Sequence, residues 1–182
     1  MKKTAILFAE GYEEVEALTV VDLLRRAKIG CDIVAVKEAD EVTGSHGIRV
    51  GADKRLSHLV MEEYDGLILP GGLRGVNNLA ADEGVIALLR RFAEDGKLTA
   101  AICAGPTVLA QAGLLEGKKA CCYPGMEEQL TGAMASTETV VRDGSVITSR
   151  GLGTAIPFAL ALVAYFCGEK QAQALARSIV FQ

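Results

Sequence analysis

Ala100-Ala101-Ile102-Cys103-Ala104-Gly105-Pro106-Thr107 runs from an apolar β-type segment through two small residues into a proline-led helix start. Proline suits the first turn of a helix, where an N–H would be unpaired anyway. Residues 99–102 are therefore expected to form a strand and 106–112 a helix. Ala104 and Gly105 leave room for a sharp turn, which sets the Cys103 side chain at the end of the strand. This is the layout of a nucleophile elbow with Cys in place of Ser.

The same alternation continues outward on both sides. Short β-rich runs occur at 4–8, 31–36, 66–69 and 146–148, and helical patterns at 14–28, 82–95 and 154–166. Strands alternating with helices predict an α/β fold, with a mainly parallel sheet covered on both faces. The chain has 182 residues, half of them hydrophobic, and no repeat or low-complexity linker, so a single domain over 1–182 is expected.

Composition removes several function classes. The 19 Lys and Arg residues are interspersed among 23 acidic ones, for a net charge of −4, and no basic block offers a nucleic-acid surface. The apolar start at residues 4–9 is cut short by Glu10 and reads as a strand rather than a signal peptide. Residues 155–167 are apolar but too short for a membrane helix, which needs ~20 residues. Five cysteines show neither an even disulfide count nor paired CxxC spacing, so a reducing cytoplasm is expected and no metal site is. Gly151-Leu152-Gly153 lacks the third glycine of a dinucleotide fingerprint, and Gly117-Lys118 has no glycine at Walker spacing. A cofactor-independent protein is the expectation.

In an open sheet of this class, ligands bind outside the carboxyl ends of the strands. Three loops there carry chemistry. The first leads into the helix bearing Glu13, Glu14 and Glu16. Steps of four, three and four residues take Glu16 to Val20, Leu23 and Ala27, so this acid shares the apolar stripe. Burial would raise its pKa and turn it into a hydrogen-bond donor. The other reading of Glu16 is an acid that favours the first helical turn. The second loop is Pro70-Gly71-Gly72, whose glycines let backbone N–H groups approach a ligand or oxyanion, although such loops are often only tight turns.

The third loop holds Cys103. A helix start directs free N–H groups and a positive dipole end at the sulfur, which predicts a depressed thiol pKa. The dipole is worth at most about 2 kcal/mol and one pKa unit is about 1.4 kcal/mol, so strong activation needs a further donor such as protonated Glu16. The alternative for Cys103 is a small, inert core side chain. Cys121 and Cys122 read as packing residues, and His46, in the turn-like Thr43-Gly44-Ser45-His46-Gly47, as a solvated loop histidine.

Together, Ala101-Ile102-Cys103-Ala104-Gly105-Pro106, Glu13-Glu14-Val15-Glu16, Leu69-Pro70-Gly71-Gly72 and Thr148-Ser149-Arg150-Gly151 resemble the ThiJ/PfpI superfamily, over nearly the whole chain. Within it they are most similar to the branch of the parkinsonism-associated protein deglycase. The resemblance implies a flavodoxin-like three-layer sandwich, a homodimer packed partly through the first long helix, and a reactive Cys103 hydrogen-bonded to a protonated Glu16. It also implies cofactor-free conversion of methylglyoxal-type 2-oxoaldehydes, or removal of their early adducts, and alternatively reversible oxidation of the cysteine as a stress response.

Departures from the superfamily's other branches narrow the chemistry. Protease-like relatives carry His directly after the nucleophile, where this chain has Ala104. Amidotransferase relatives use a His after the cysteine, whereas His46 and His58 both precede it. Tyr123-Pro124 stands where many deglycase-like members have His-Pro, so Tyr123 is a candidate substrate contact, the other reading being a packing or surface residue. The expected mechanism is attack by Cys103 on an aldehyde carbonyl, with Glu16 transferring protons and Gly71, Gly72 and Ala104 lining the oxyanion site.

Overall fold

A computed structural model describes residues 1–182. In chain order the elements are β1 (Lys3–Phe8), α1 (Glu14–Arg26), β2 (Gly30–Ala35), β3 (Glu41–Thr43), β4 (Arg49–Gly51), β5 (Lys54–Arg55) and β6 (Gly66–Leu69). There follow α2 (Leu73–Ala80), α3 (Glu83–Glu94), β7 (Leu98–Ile102), α4 (Pro106–Gln111), β8 (Lys119–Ala120) and β9 (Met134–Ala135). The chain closes with β10 (Val140–Asp143), β11 (Val146–Ser149), α5 (Ala155–Cys167) and α6 (Glu169–Ser178).

One sheet runs in the order β10-β11-β7-β6-β1-β2-β5, parallel throughout except for β10, which is antiparallel to β11. Its five central strands, taken alone, read second–first–third–fourth–fifth along the sheet, the flavodoxin-like order. The period-2 geometry of a strand divides the apolar residues of β1 between two cores. Ile6 and Phe8 join Val20, Leu24, Phe158 and Leu162 from α1 and α5 on one face. Ala5 and Leu7 join Val76, Leu89, Phe92 and Val108 from α2, α3 and α4 on the other. The result is a helix–sheet–helix sandwich.

Local chemistry accounts for the element ends. Asp82 caps α3 by accepting from the Val85 N–H at 3.1 Å. Pro157 lies within the first turn of α5, where it breaks no intrahelical bond. No helix is long and apolar enough to cross a membrane. The sequence pattern did not reveal α2, α6, the β3–β4 hairpin or the antiparallel edge strand β10.

Candidate active site

Three strand ends assemble the site, on both sides of the point where strand order reverses. After β7, Cys103 takes φ = 65°, the left-handed region that side chains other than Gly rarely enter. The ladder to β11 enforces this, since the Cys103 N–H donates to Ser149 O at 3.0 Å. From the other side, the Tyr123 N–H donates to Cys103 O at 2.8 Å. Pro106 opens α4 as expected, and the thiol is partly exposed at the elbow.

After β1, the first turn of α1 brings Glu16 to the thiol. Its stripe is buried as the periodicity required: Glu16 is 1% exposed, with Val20, Leu23 and Ala27 also inside. After β6, the Gly71 N–H donates to Glu16 Oε2 at 2.9 Å. A side chain at Gly71 would strike that oxygen and would stand 3.0 Å from the Cys103 sulfur, so only glycine fits between them. Gly72, at φ = 86°, packs its Cα face on the backbone of Gly11 and Glu13.

Electrostatics reverses one expectation. Burial pushes the Cys103 thiol up to about 12, helped by the charge of Glu16 and by the hydrogen bond Glu16 accepts from it. The N–H groups of Ala104 and Gly72 at the sulfur pull the other way and are outweighed. The depressed thiol read from the helix start is therefore corrected: α4 has only six residues, and desolvation exceeds its dipole. Burial likewise pushes Glu16 up to about 7, against hydrogen bonds from the thiol and the Gly71 N–H, with the Glu13 charge adding to the rise. The pair therefore holds two protons below about 7 and a single one, between carboxyl and sulfur, above it. When that proton sits on Glu16, the carboxyl donates to a thiolate that Gly72 and Ala104 also stabilise.

The other expected residues fall as follows. The Gly71 N–H is taken by Glu16, which leaves Gly72 and Ala104 as the backbone donors facing the sulfur. Tyr123 is half-exposed beside Gly151, where a methyl group would stand 3.5 Å from its ring. Cys121 and Cys122 are fully buried, and Cys121 N–H donates to Thr148 Oγ1 at 2.9 Å. Arg150 ties the Tyr123 segment to the elbow, donating to Cys122 O and pairing with Glu127, each at 3.3 Å.

A polar cluster beside the pair escaped the sequence reading. Glu14, 2% exposed, accepts from the His46 N–H at 2.7 Å and lies 2.9 Å from His46 Nδ1. The Ser45 hydroxyl is 3.1 Å from Glu14 Oε2 and 3.2 Å from Glu13 Oε2. Burial alone would raise Glu14, but these hydrogen bonds outweigh it and lower its pKa to about 2. His46 is exposed in its loop as expected, but it is also tied to Glu14, and the carboxylate beside it raises its pKa. Donor atoms of Glu13, Glu14 and His46 lie within 4.8 Å of one another, but they are engaged in hydrogen bonds and an ion pair and form no open metal centre. The signal available was the Glu13-Glu14 doublet. What it lacked was the hairpin, 32 residues further on.

A flavodoxin-order sheet with a strained cysteine elbow faced by a buried glutamic acid defines a class of cysteine-centred α/β proteins. Residues 2–165 match the model of the DJ-1/PfpI family, to which the chain belongs. It is 37% identical over 181 residues to Protein dj-1beta of Drosophila melanogaster, covering 98% of this chain and 97% of that one. The crystal structure of Drosophila DJ-1beta is similar to it with a TM-score of 0.95, covering 100% of this chain and 98% of that one. Deglycase PH1704 of Pyrococcus horikoshii is 34% identical over 152 residues, 81% of this chain and 89% of its own. An oxidized Toxoplasma gondii DJ-1 has a TM-score of 0.94 at 35% identity, covering 100% of this chain and 99% of that one.

Proposed function

We propose that the protein is a cofactor-independent, cysteine-dependent glyoxalase or deglycase acting on methylglyoxal-type 2-oxoaldehydes or their early adducts. The observation that carries this reading is the Glu16 carboxyl, raised to about 7 and set against the Cys103 thiol. An acid with that pKa both gives and takes protons at neutral pH, as carbonyl chemistry requires.

The thiolate of Cys103 adds to the aldehyde carbon to form a hemithioacetal. Its oxyanion is met by the N–H groups of Gly72 and Ala104 and takes a proton from Glu16. Glu16 then takes the proton from the former aldehyde carbon as the neighbouring carbonyl oxygen is protonated, giving an enediol, and delivers a proton to the neighbouring carbon as the first carbon's hydroxyl proton is lost, giving a thioester. This oxidises one carbon of the substrate while reducing the next, so no external redox cofactor enters. Water releases the hydroxy acid and returns the thiol. In an early adduct the same attack displaces the amine instead. Tyr123, whose N–H donates to Cys103 O, serves as a substrate contact in this scheme.

The name of the Pyrococcus relative is in keeping with this activity. Five free cysteines suit a reducing cytoplasm. A homodimer is part of the proposal: Val15 on α1 and Ile48 on the hairpin are exposed apolar residues, at 48% and 52%.

A second reading is a redox-responsive stress protein, in which the functional event is oxidation of Cys103 to a sulfinic acid. The same three donors, Glu16, Gly72 and Ala104, suit an oxidised sulfur, and a solved relative is described as oxidized. Lactate formation from methylglyoxal separates the two readings. Turnover that falls by at least about 100-fold in both Cys103→Ser and Glu16→Gln supports catalysis. Undiminished turnover in Cys103→Ser refutes the mechanism.

A further inference from the structure

The β3–β4 hairpin reaches the site through a continuous set of contacts. Its tip, Ser45 and His46, holds Glu14 and Glu13 in the first turn of α1. The fit is close, since any side chain at Gly44 would overlap the Glu14 carboxyl. The Glu13 N–H donates to Gly71 O at 2.9 Å, and the Gly71 N–H donates to Glu16. Glu13 and Glu16 lie on the same helical turn, three residues apart, so the charge at Glu13 is felt at the proton-transfer carboxyl.

We propose that His46 is a positioning residue for the Cys103–Glu16 pair: by clamping Glu13 and Glu14, it sets the orientation of Glu16 and offsets the negative charge beside it. The inference rests on the pairing used in the proposed function, although its test reads thiol chemistry and not turnover.

In a single protomer the His46 side chain is 68% exposed, and its Nδ1 lies 2.9 Å from Glu14 and 3.7 Å from Glu13. Within the protomer it is the only cationic group within ion-pair distance of those two carboxylates. The other charged or titratable groups around the cluster are fixed or distant in effect. Glu10 Oε1 accepts from the Thr43 N–H at 3.2 Å. Arg49 is engaged with Glu41 at 3.9 Å on the hairpin stem. The buried Tyr12 phenol is pushed up to about 12 by burial and stays neutral. Loss of the His46 proton therefore leaves two adjacent carboxylates without a counter-charge. This raises the proton affinity of Glu16, because the Glu13 charge acts on it in that direction.

The test is the pH dependence of Cys103 alkylation by iodoacetamide, followed by intact mass in the full-length protein. The variants are His46→Gln and His46→Lys, with thermal unfolding recorded in parallel. His46→Gln keeps a polar side chain but no charge, and its reactivity midpoint is expected to move up by about half a pH unit, the effect of one charge through a partly solvated path. His46→Lys restores a permanent cation, and its midpoint is expected to return to the wild-type value or below. Midpoints unchanged in both variants, with or without a change in unfolding temperature, overturn the proposal and reduce the clamp to a fold contact. A wild-type profile with no midpoint near neutrality contradicts the Cys103–Glu16 pairing itself, a separate outcome.

Discussion

At the scale of single residues, the site is a contest between desolvation and hydrogen bonding. Glu16 and Glu14 are two residues apart and both almost inaccessible to solvent, with Glu16 the deeper, and they are driven in opposite directions. Glu14 receives three hydrogen-bonding groups from the hairpin and is held ionised, whereas Glu16 receives one N–H and a thiol and is held near neutrality. Sequence periodicity exposed Glu16 because its misplacement on an apolar stripe is a local signal. It could not expose Glu14, whose partners are distant in the chain. The thiol's rise was hidden for a related reason: the dipole of a helix start is visible in the sequence, while the burial that outweighs it is a tertiary quantity. A stability test follows. With a folded pKa of about 7 against 4.5 for the free group, the protonated form of Glu16 stabilises the fold below pH 4.5. That contribution is lost as the pH rises through about 7, where the folded state must hold a buried charge. Glu16→Gln removes this cost. It is expected to be more stable than wild type by about 1–3 kcal/mol at pH 8, with the gain shrinking at pH 4, in denaturant unfolding. A difference that does not change with pH would contradict the assignment.

At the scale of elements, legibility followed burial. The central strands are covered on both faces and read as unbroken apolar runs, so β6 was located to the residue. The expected helices matched α1, α3, α4 and α5 to within a residue or two at their ends. The missed elements have weak or misleading patterns. α2 contains Gly75 and the pair Asn77-Asn78, poor helix formers, and is held by packing: Gly75 lies directly on the Tyr12 backbone, with no room for a Cβ. α6 is mostly polar and buries only Ala172 and Leu175. The β3–β4 hairpin has three-residue strands whose only fully buried side chain is Val42. That short element nevertheless supplies the clamp on α1, so the part of the site least visible in sequence lies on the least regular structure.

At the scale of the whole molecule, the strand order collects three chain-distant loops at the carboxyl ends of the central strands. β1 and β6, neighbours across the reversal of strand order, deliver Glu16 and Gly71-Gly72, and β7 delivers the nucleophile. The four ordered motifs made this arrangement readable in the sequence, because three mark strand ends and the fourth the start of α1. The proposed dimer belongs to this scale, motivated by exposed Val15 and Ile48 and by partly buried Leu18 on α1. Light scattering is expected to show twice the chain mass, and Val15→Arg combined with Ile48→Asp to show the chain mass alone. A monomeric wild type would refute the dimer.

The central claim is that Cys103 and Glu16 titrate as one unit. The most direct measurement is the rate of Cys103 alkylation across pH 5–10 in wild type and in Glu16→Gln. The shared proton predicts a wild-type rise with a midpoint near 7, which Glu16→Gln abolishes, its reactivity climbing only at alkaline pH. The same midpoint in both proteins would contradict the pairing.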